Sequence, residues 1–317
     1  MIKGAAIPAA GFEADRITED IAFAAESGLT QLRFGVNWAE MQPKAGIVVG
    51  DWVERYRFAA ETCTGLGIEP WFMLLPQQFP KWFENEGGFL DERAAGRFWP
   101  RWVEAVTDAL GDVAAGWIPI EAPFALAERI VPNDPRRHGD VVNTLTVAWR
   151  DAWRILRGGQ PVATSIDVKV IRPKDETIQE AELSRREDQL RWRVWLQGLR
   201  DGTISIPGRA DRELADFAGS CDIMGVRARS ETETILYRAA EMAPDRPIAL
   251  TFKPEGKNDV ERTRSVEAMS VELARSAEEL PMASVTITPF RDAGGATDGI
   301  VTVDRELKDS GHAFLLT

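Results

Sequence analysis

The stretch DWVERYRFAAETCTGLGIEPWFMLL, residues 51–75, reads as two elements in succession. Up to residue 67, Trp52, Tyr56, Ala59, Ala60 and Cys63 recur at the spacing that places them on one face of a helix, and Gly67 supplies a stop. EPWFMLL (69–75) is then a short apolar run. It does not alternate, as expected for a strand buried on both faces of a parallel sheet. A helix feeding directly into such a strand is the repeating step of an α/β fold.

The step recurs along the chain. Strand-like runs are IKGAAIPA (2–9), QLRFGVN (31–37), GWIPIEA (116–122), PVATSIDV (161–168), DIMGVRAR (222–229), PIALTFK (247–253) and ASVTITPF (283–290). Helical patterns over 17–28, 92–111, 139–159, 177–202, 232–242 and 259–280 fall between or after them, and VDRELKDSGHAFLL closes the set. Pro100 is expected to kink or break its helix. Strand–helix units in this number predict a single (β/α)8 TIM barrel over residues 1–317. An open doubly wound sheet is disfavoured, because the first turn, PAAGFEADR, has no GxGxxG.

The 317 residues carry a formal net charge of −12, which argues against a nucleic-acid or membrane-surface partner. No apolar run is long enough to span a bilayer. The N-terminus meets acids too early for a secretion signal, so a cytoplasmic location is expected. Cys63 and Cys221 are read as buried, reduced thiols. With only His138 and His312 as histidines, neither a metal site nor any cofactor is predicted.

The barrel reading directs attention to the C-terminal strand ends, where such folds keep their chemistry. There the motifs resemble the family 1 glycoside hydrolases, the β-glucosidase type. LRFGVNWAEMQP (32–43) resembles YRFSISWxRIQP, and LGIEPWFMLLPQQFPKWFENEGGFLD (66–91) resembles LGIEPxVTLYHWDLPxWLxxxGGWLN. GWIPIEAPF (116–124) resembles HWITLNEPW, DIMGVRARS (222–230) resembles DFLGVNYYT, and PIALTFKPEG (247–256) resembles PIYITENG. The resemblance is collinear over nearly the whole chain. It implies the family barrel with shortened strand-to-helix loops.

Carried over position by position, the resemblance also implies lost chemistry. The family's acid/base glutamate falls on Ala122 and its nucleophile on Phe252. Its pocket histidine falls on Pro76, a sugar-binding glutamine on Gly11, and the last-strand tryptophan on Thr288. Retaining hydrolysis needs two carboxyls about 5 Å apart, one protonated and one charged. Alanine and phenylalanine supply neither.

The pocket positions gain cations instead. Arg227 and Arg229 stand two apart on one strand, so they share a face, and paired arginines suit an oxyanion. Expected ligand contacts are Arg227, Arg229, Glu121, Trp38, Lys253, Gln77 and Arg33, with Arg33 holding Glu121 in place. Internal salt bridges are the competing explanation of the same charges. Strand alternation turns Glu121 in the direction of the family asparagine, away from that of the acid. Three function classes remain open. The first is a degenerate glycosidase-like protein binding a small glycoside-like or anionic ligand, or a protein partner. The second is an active enzyme with Glu121 or Asp167 as acid/base, Glu255 being a conceivable second carboxylate. The third is a structural or regulatory subunit without ligand.

Overall fold

The computed structural model describes residues 1–13 and 15–317. Its strands are β1 (Ile2–Ile7), β2 (Gln31–Gly35), β3 (Glu69–Leu75) and β4 (Gly116–Ile120), then the short antiparallel pair β5 (Thr203–Ile204) and β6 (Arg212–Glu213), then β7 (Met224–Ala228), β8 (Ile248–Phe252) and β9 (Met282–Ile287). Seven of them form one parallel sheet in the order β4-β3-β2-β1-β9-β8-β7.

The gap between β4 and β7 is filled by the segment expected as the fifth strand. It forms no continuous ladder. Val162 bridges to Trp117, Ala163 to Ile223 and Ile166 to Val226, all parallel. Ala163 N–H donates to Trp117 O at 2.9 Å, and Arg227 N–H to Ile166 O at 2.8 Å. The segment departs from regular pairing at Thr164, whose hydroxyl accepts from Gly225 N–H and donates to Gly225 O, both at 2.8 Å. A side chain thus satisfies backbone groups that a ladder would otherwise pair. Glycine is required opposite, because a Cβ on residue 225 would stand 1.8 Å from Thr164 O. The sheet is thereby closed into the (β/α)8 barrel.

Alternation along the strands separates two environments. Leu32, Phe34, Phe72, Leu74, Leu250 and Phe252 belong to the large apolar cluster that also contains helix residues such as Ile21, Tyr56 and Trp102. The other parity faces the barrel axis. Ala6, Trp71, Met73, Ile118 and Ala163 form a small apolar cluster there. Beside it Arg33 donates to Gln31 Oε1, Thr251 Oγ1 and Ser284 Oγ at 2.9, 2.8 and 3.1 Å.

The helix containing Pro100 runs from Glu92 to Leu110 without ending at the proline, so the expected break does not occur. Asp91 caps it through the N–H groups of Arg93 and Ala94. The pattern over 177–202 is continuous as well. It comprises α-helix Ile178–Asp188, a π turn over Gln189–Arg193, and α-helix Val194–Asp201.

Candidate functional site

β4 ends at Ile120, and the chain turns at once. Ala122 takes a left-handed conformation (φ 48°) and precedes the helix Pro123–Ile130, with Pro123 at its first position. Strand alternation therefore does not extend to residues 121 and 122. The Glu121 side chain reaches the barrel mouth and lines a cavity of about 310 Å³. Ala122 lines a neighbouring cavity of about 580 Å³. Gln77, Arg227 and Lys253 line both and so stand between them.

Three acids line the smaller cavity, and each faces a cation. Glu121 Oε1 lies 2.7 Å from Arg227 Nη1, with the side chains 9% and 18% exposed. Asp298 Oδ2 lies 2.9 Å from Lys253 Nζ. Burial works against the Asp298 charge, but the hydrogen bond and charge of Lys253 outweigh it and hold the carboxyl below its usual range. Asp20 meets Arg291 at 3.0 Å, and both are buried. Gly11, Pro76 and Thr288 also line this cavity.

Arg33 differs from its expected role. Its direct partners are the neutral groups of Gln31, Thr251 and Ser284, and Glu121 pairs with Arg227 instead. Complete burial brings the Arg33 guanidinium down to about 10; nearby Glu121 opposes the shift and Arg227 adds to it. The inner mouth therefore holds two guanidinium groups around one carboxylate.

Asp167 is also engaged. Its carboxylate accepts from Phe124 N–H at 3.0 Å and Ala125 N–H at 2.9 Å, which caps the helix Pro123–Ile130. Arg191 Nη1 binds the same group at 2.9 Å. An acid held by two amides and an arginine has a positioning role, and using it as a proton donor would uncap the helix. Gln77, at φ 79°, donates its amide to the carbonyl oxygens of Glu121 and Ala122. It holds the turn of the β4 end and has that amide committed before any ligand arrives.

Trp38 lines neither cavity. It is 1% exposed, stacks on Trp102 at 5.2 Å and donates to Gln42 Oε1 at 2.9 Å. Phe252 is equally buried, lies in the strand–helix layer and lines neither cavity. Its neighbour Lys253 is the side chain that the end of β8 presents to the mouth. Arg229 and Glu255 are exposed and line the larger cavity.

Two residues of the site are not evident from the sequence. Arg191 lies in a run that reads as a solvated helix face, yet it is buried among Asp167, Glu128 and Glu187 with Phe124 beneath it. The Glu187–Arg191 spacing of four was the available signal. Asp298 gives none, because its partner Lys253 is distant in the chain.

The family model described as Glycosyl hydrolase family 1 matches residues 7–132. Beta-glucosidase 17 of Arabidopsis thaliana is 31% identical over 139 residues, covering 42% of this chain and 27% of that protein. Klotho of Homo sapiens is 26% identical over 180 residues, covering 50% of this chain and 18% of that protein. The chain thus spans less than a third of the length of these two relatives. Among solved structures, a family 1 β-glucosidase from Thermotoga maritima superposes with a TM-score of 0.84 at 15% identity, covering 99% of this chain and 96% of that one. Aphid myrosinase gives 0.82 at 13% identity, covering 96% and 87%. The fold is that of the TIM-barrel family 1 glycosidases, and the family resemblance read from the motifs holds.

Proposed function

We propose, from the premise that this chain is a family 1 glycoside-hydrolase-like barrel, that it is a catalytically degenerate relative of those enzymes. Residues 1–317 act as a single unit, in a cytoplasmic setting, and bind a small glycoside-like or anionic ligand at the C-terminal mouth. One observation carries the reading. Each acid lining the inner cavity is paired with a cation (Glu121 with Arg227, Asp298 with Lys253, Asp20 with Arg291). The positions matching the acid/base and the nucleophile are Ala122 and Phe252.

Glycoside cleavage needs one carboxyl that holds a proton and a second that attacks or activates water. The Glu121 carboxylate is instead engaged by the Arg227 guanidinium at 2.7 Å. Among the described residues no helix is long and apolar enough to cross a membrane. Among the described residues no cluster of His, Cys, Asp and Glu could hold a metal ion.

The second reading is hydrolysis by Glu121 alone or with Glu255. It is favoured by the access of Glu121 to an open cavity. Nitrophenyl β-glucosides and β-galactosides at high protein concentration separate the two. The expected outcome is no release of nitrophenol above a protein-free control. Turnover that disappears in Glu121→Gln sinks the degenerate reading.

A further inference from the structure

Two of the cations left over once the internal pairs are removed line the larger cavity. Lys169 and Arg229 line it, both are exposed, and neither makes an ion pair among the described residues. Other charges there are already engaged. Arg191 serves Asp167 and Glu128, Arg227 serves Glu121, Lys253 serves Asp298, and Glu231 is bound to Arg172. Glu255 is the one lining acid without such a partner.

Register explains why the two unpaired cations stand together. Ile166 bridges in parallel to Val226. Lys169 and Arg229 each lie three residues beyond that bridge, so neighbouring barrel segments deliver them to the same rim. Arg229 also follows Ala228, which is paired with Phe252, and the cavity continues from there to Lys253. Toward the interior, Ala122, Ala125, Val168, Ala228 and Ile235 give the same cavity a small, apolar wall. A volume of about 580 Å³ lies in the range of pockets for sugar- and drug-sized molecules.

We infer that the larger cavity selects glycoside-like molecules bearing an oxyanion, carboxylate or phosphate, which Lys169 and Arg229 bind at the rim while the uncharged body rests against the alanine-rich wall. The inference rests on the ligand-binding reading above and specifies its ligand. It moves the recognition charge outward from Arg227, which is engaged by Glu121, to Arg229 and Lys169. A guanidinium fork and an ammonium together match an oxyanion better than they match hydroxyls.

The test is calorimetric titration of the full chain with three probes: nitrophenyl β-D-glucoside, nitrophenyl β-D-glucuronide and glucose 6-phosphate. At least one anionic probe is expected to bind about tenfold more tightly than the neutral glucoside, as charged hydrogen bonds to two cations imply. The preference should shrink as salt screens the exposed rim. Arg229→Ala with Lys169→Ala is expected to remove the preference, with the melting temperature showing that the variant is folded. If that variant is unfolded, Arg229→Gln and Lys169→Gln are titrated singly. The carboxylate and phosphate arms report which oxyanion is preferred. Glucoside binding at least as tight as that of both anions, or anion binding indifferent to both substitutions, overturns this inference alone. Failure of all three probes to bind overturns it together with the reading beneath it.

Discussion

At Glu121 the carboxylate lies 2.7 Å from Arg227, and Arg33 is close enough to act on both by charge. Removing one member leaves the others uncompensated in a buried setting. Arg227→Met is expected to destabilise the fold by about 3 kcal/mol, because Glu121 then loses its contact partner. Glu121→Gln is expected to cost at least as much, since it leaves the buried Arg33 and the half-buried Arg227 guanidinium groups without that carboxylate. The double substitution should cost less than the two single costs added together. Urea midpoints for the four proteins of the cycle provide the measurement, and strict additivity would show that the pair is not coupled.

At the scale of elements, barrel closure depends on one close approach. The segment around Thr164 meets β7 at Gly225, where there is no room for a Cβ. Gly225→Ala must push the two segments apart and break both hydrogen bonds of Thr164 to residue 225. Its expected cost is about 3 kcal/mol, the upper range for overpacking. Equilibrium unfolding checks this, and a native-like midpoint would mean that the closure is looser than its geometry implies. The loops beyond the closure are short. β7 ends at Ala228 and its helix begins at Thr232; β8 ends at Phe252 and its helix begins at Asp259. Short loops bring Arg229 and Lys253 to the rim with little freedom to move away.

For the whole molecule, the two cysteines report global opening. Cys63 and Cys221 are unpaired and buried, and burial pushes each thiol up to about 12. Neither forms appreciable thiolate at pH 8, and neither is reachable from solvent. Both are expected to be silent to a disulfide reagent in the native state and to react fully in denaturant. In native buffer any labelling should follow the rate of global unfolding, so a stopped-flow burst from either thiol would reveal a local opening.

The fold was readable from the sequence because it rests on local periodicity. EPWFMLL, PIALTFK and the helix carrying Tyr56 and Cys63 each announce their element, and collinear motifs arrange them as a barrel. The seven regular strands and most helix spans follow these patterns. The fifth strand was legible only as a segment. Its irregularity depends on Thr164 meeting Gly225, a contact between residues 61 apart.

That Ala122 and Phe252 stand where the resemblance places the family's two carboxyl groups was legible in the chain itself. The partners of the remaining charges were not visible. That Glu121 serves Arg227 and leaves Arg33 to hydroxyls, that Trp38 is core, and that Asp167 caps a helix all follow from turns and neighbours assembled by the closed barrel. Sequence determined which groups are present. Tertiary structure alone decided which charges neutralise one another, because pairing depends on distances of a few ångströms between strands far apart in the chain.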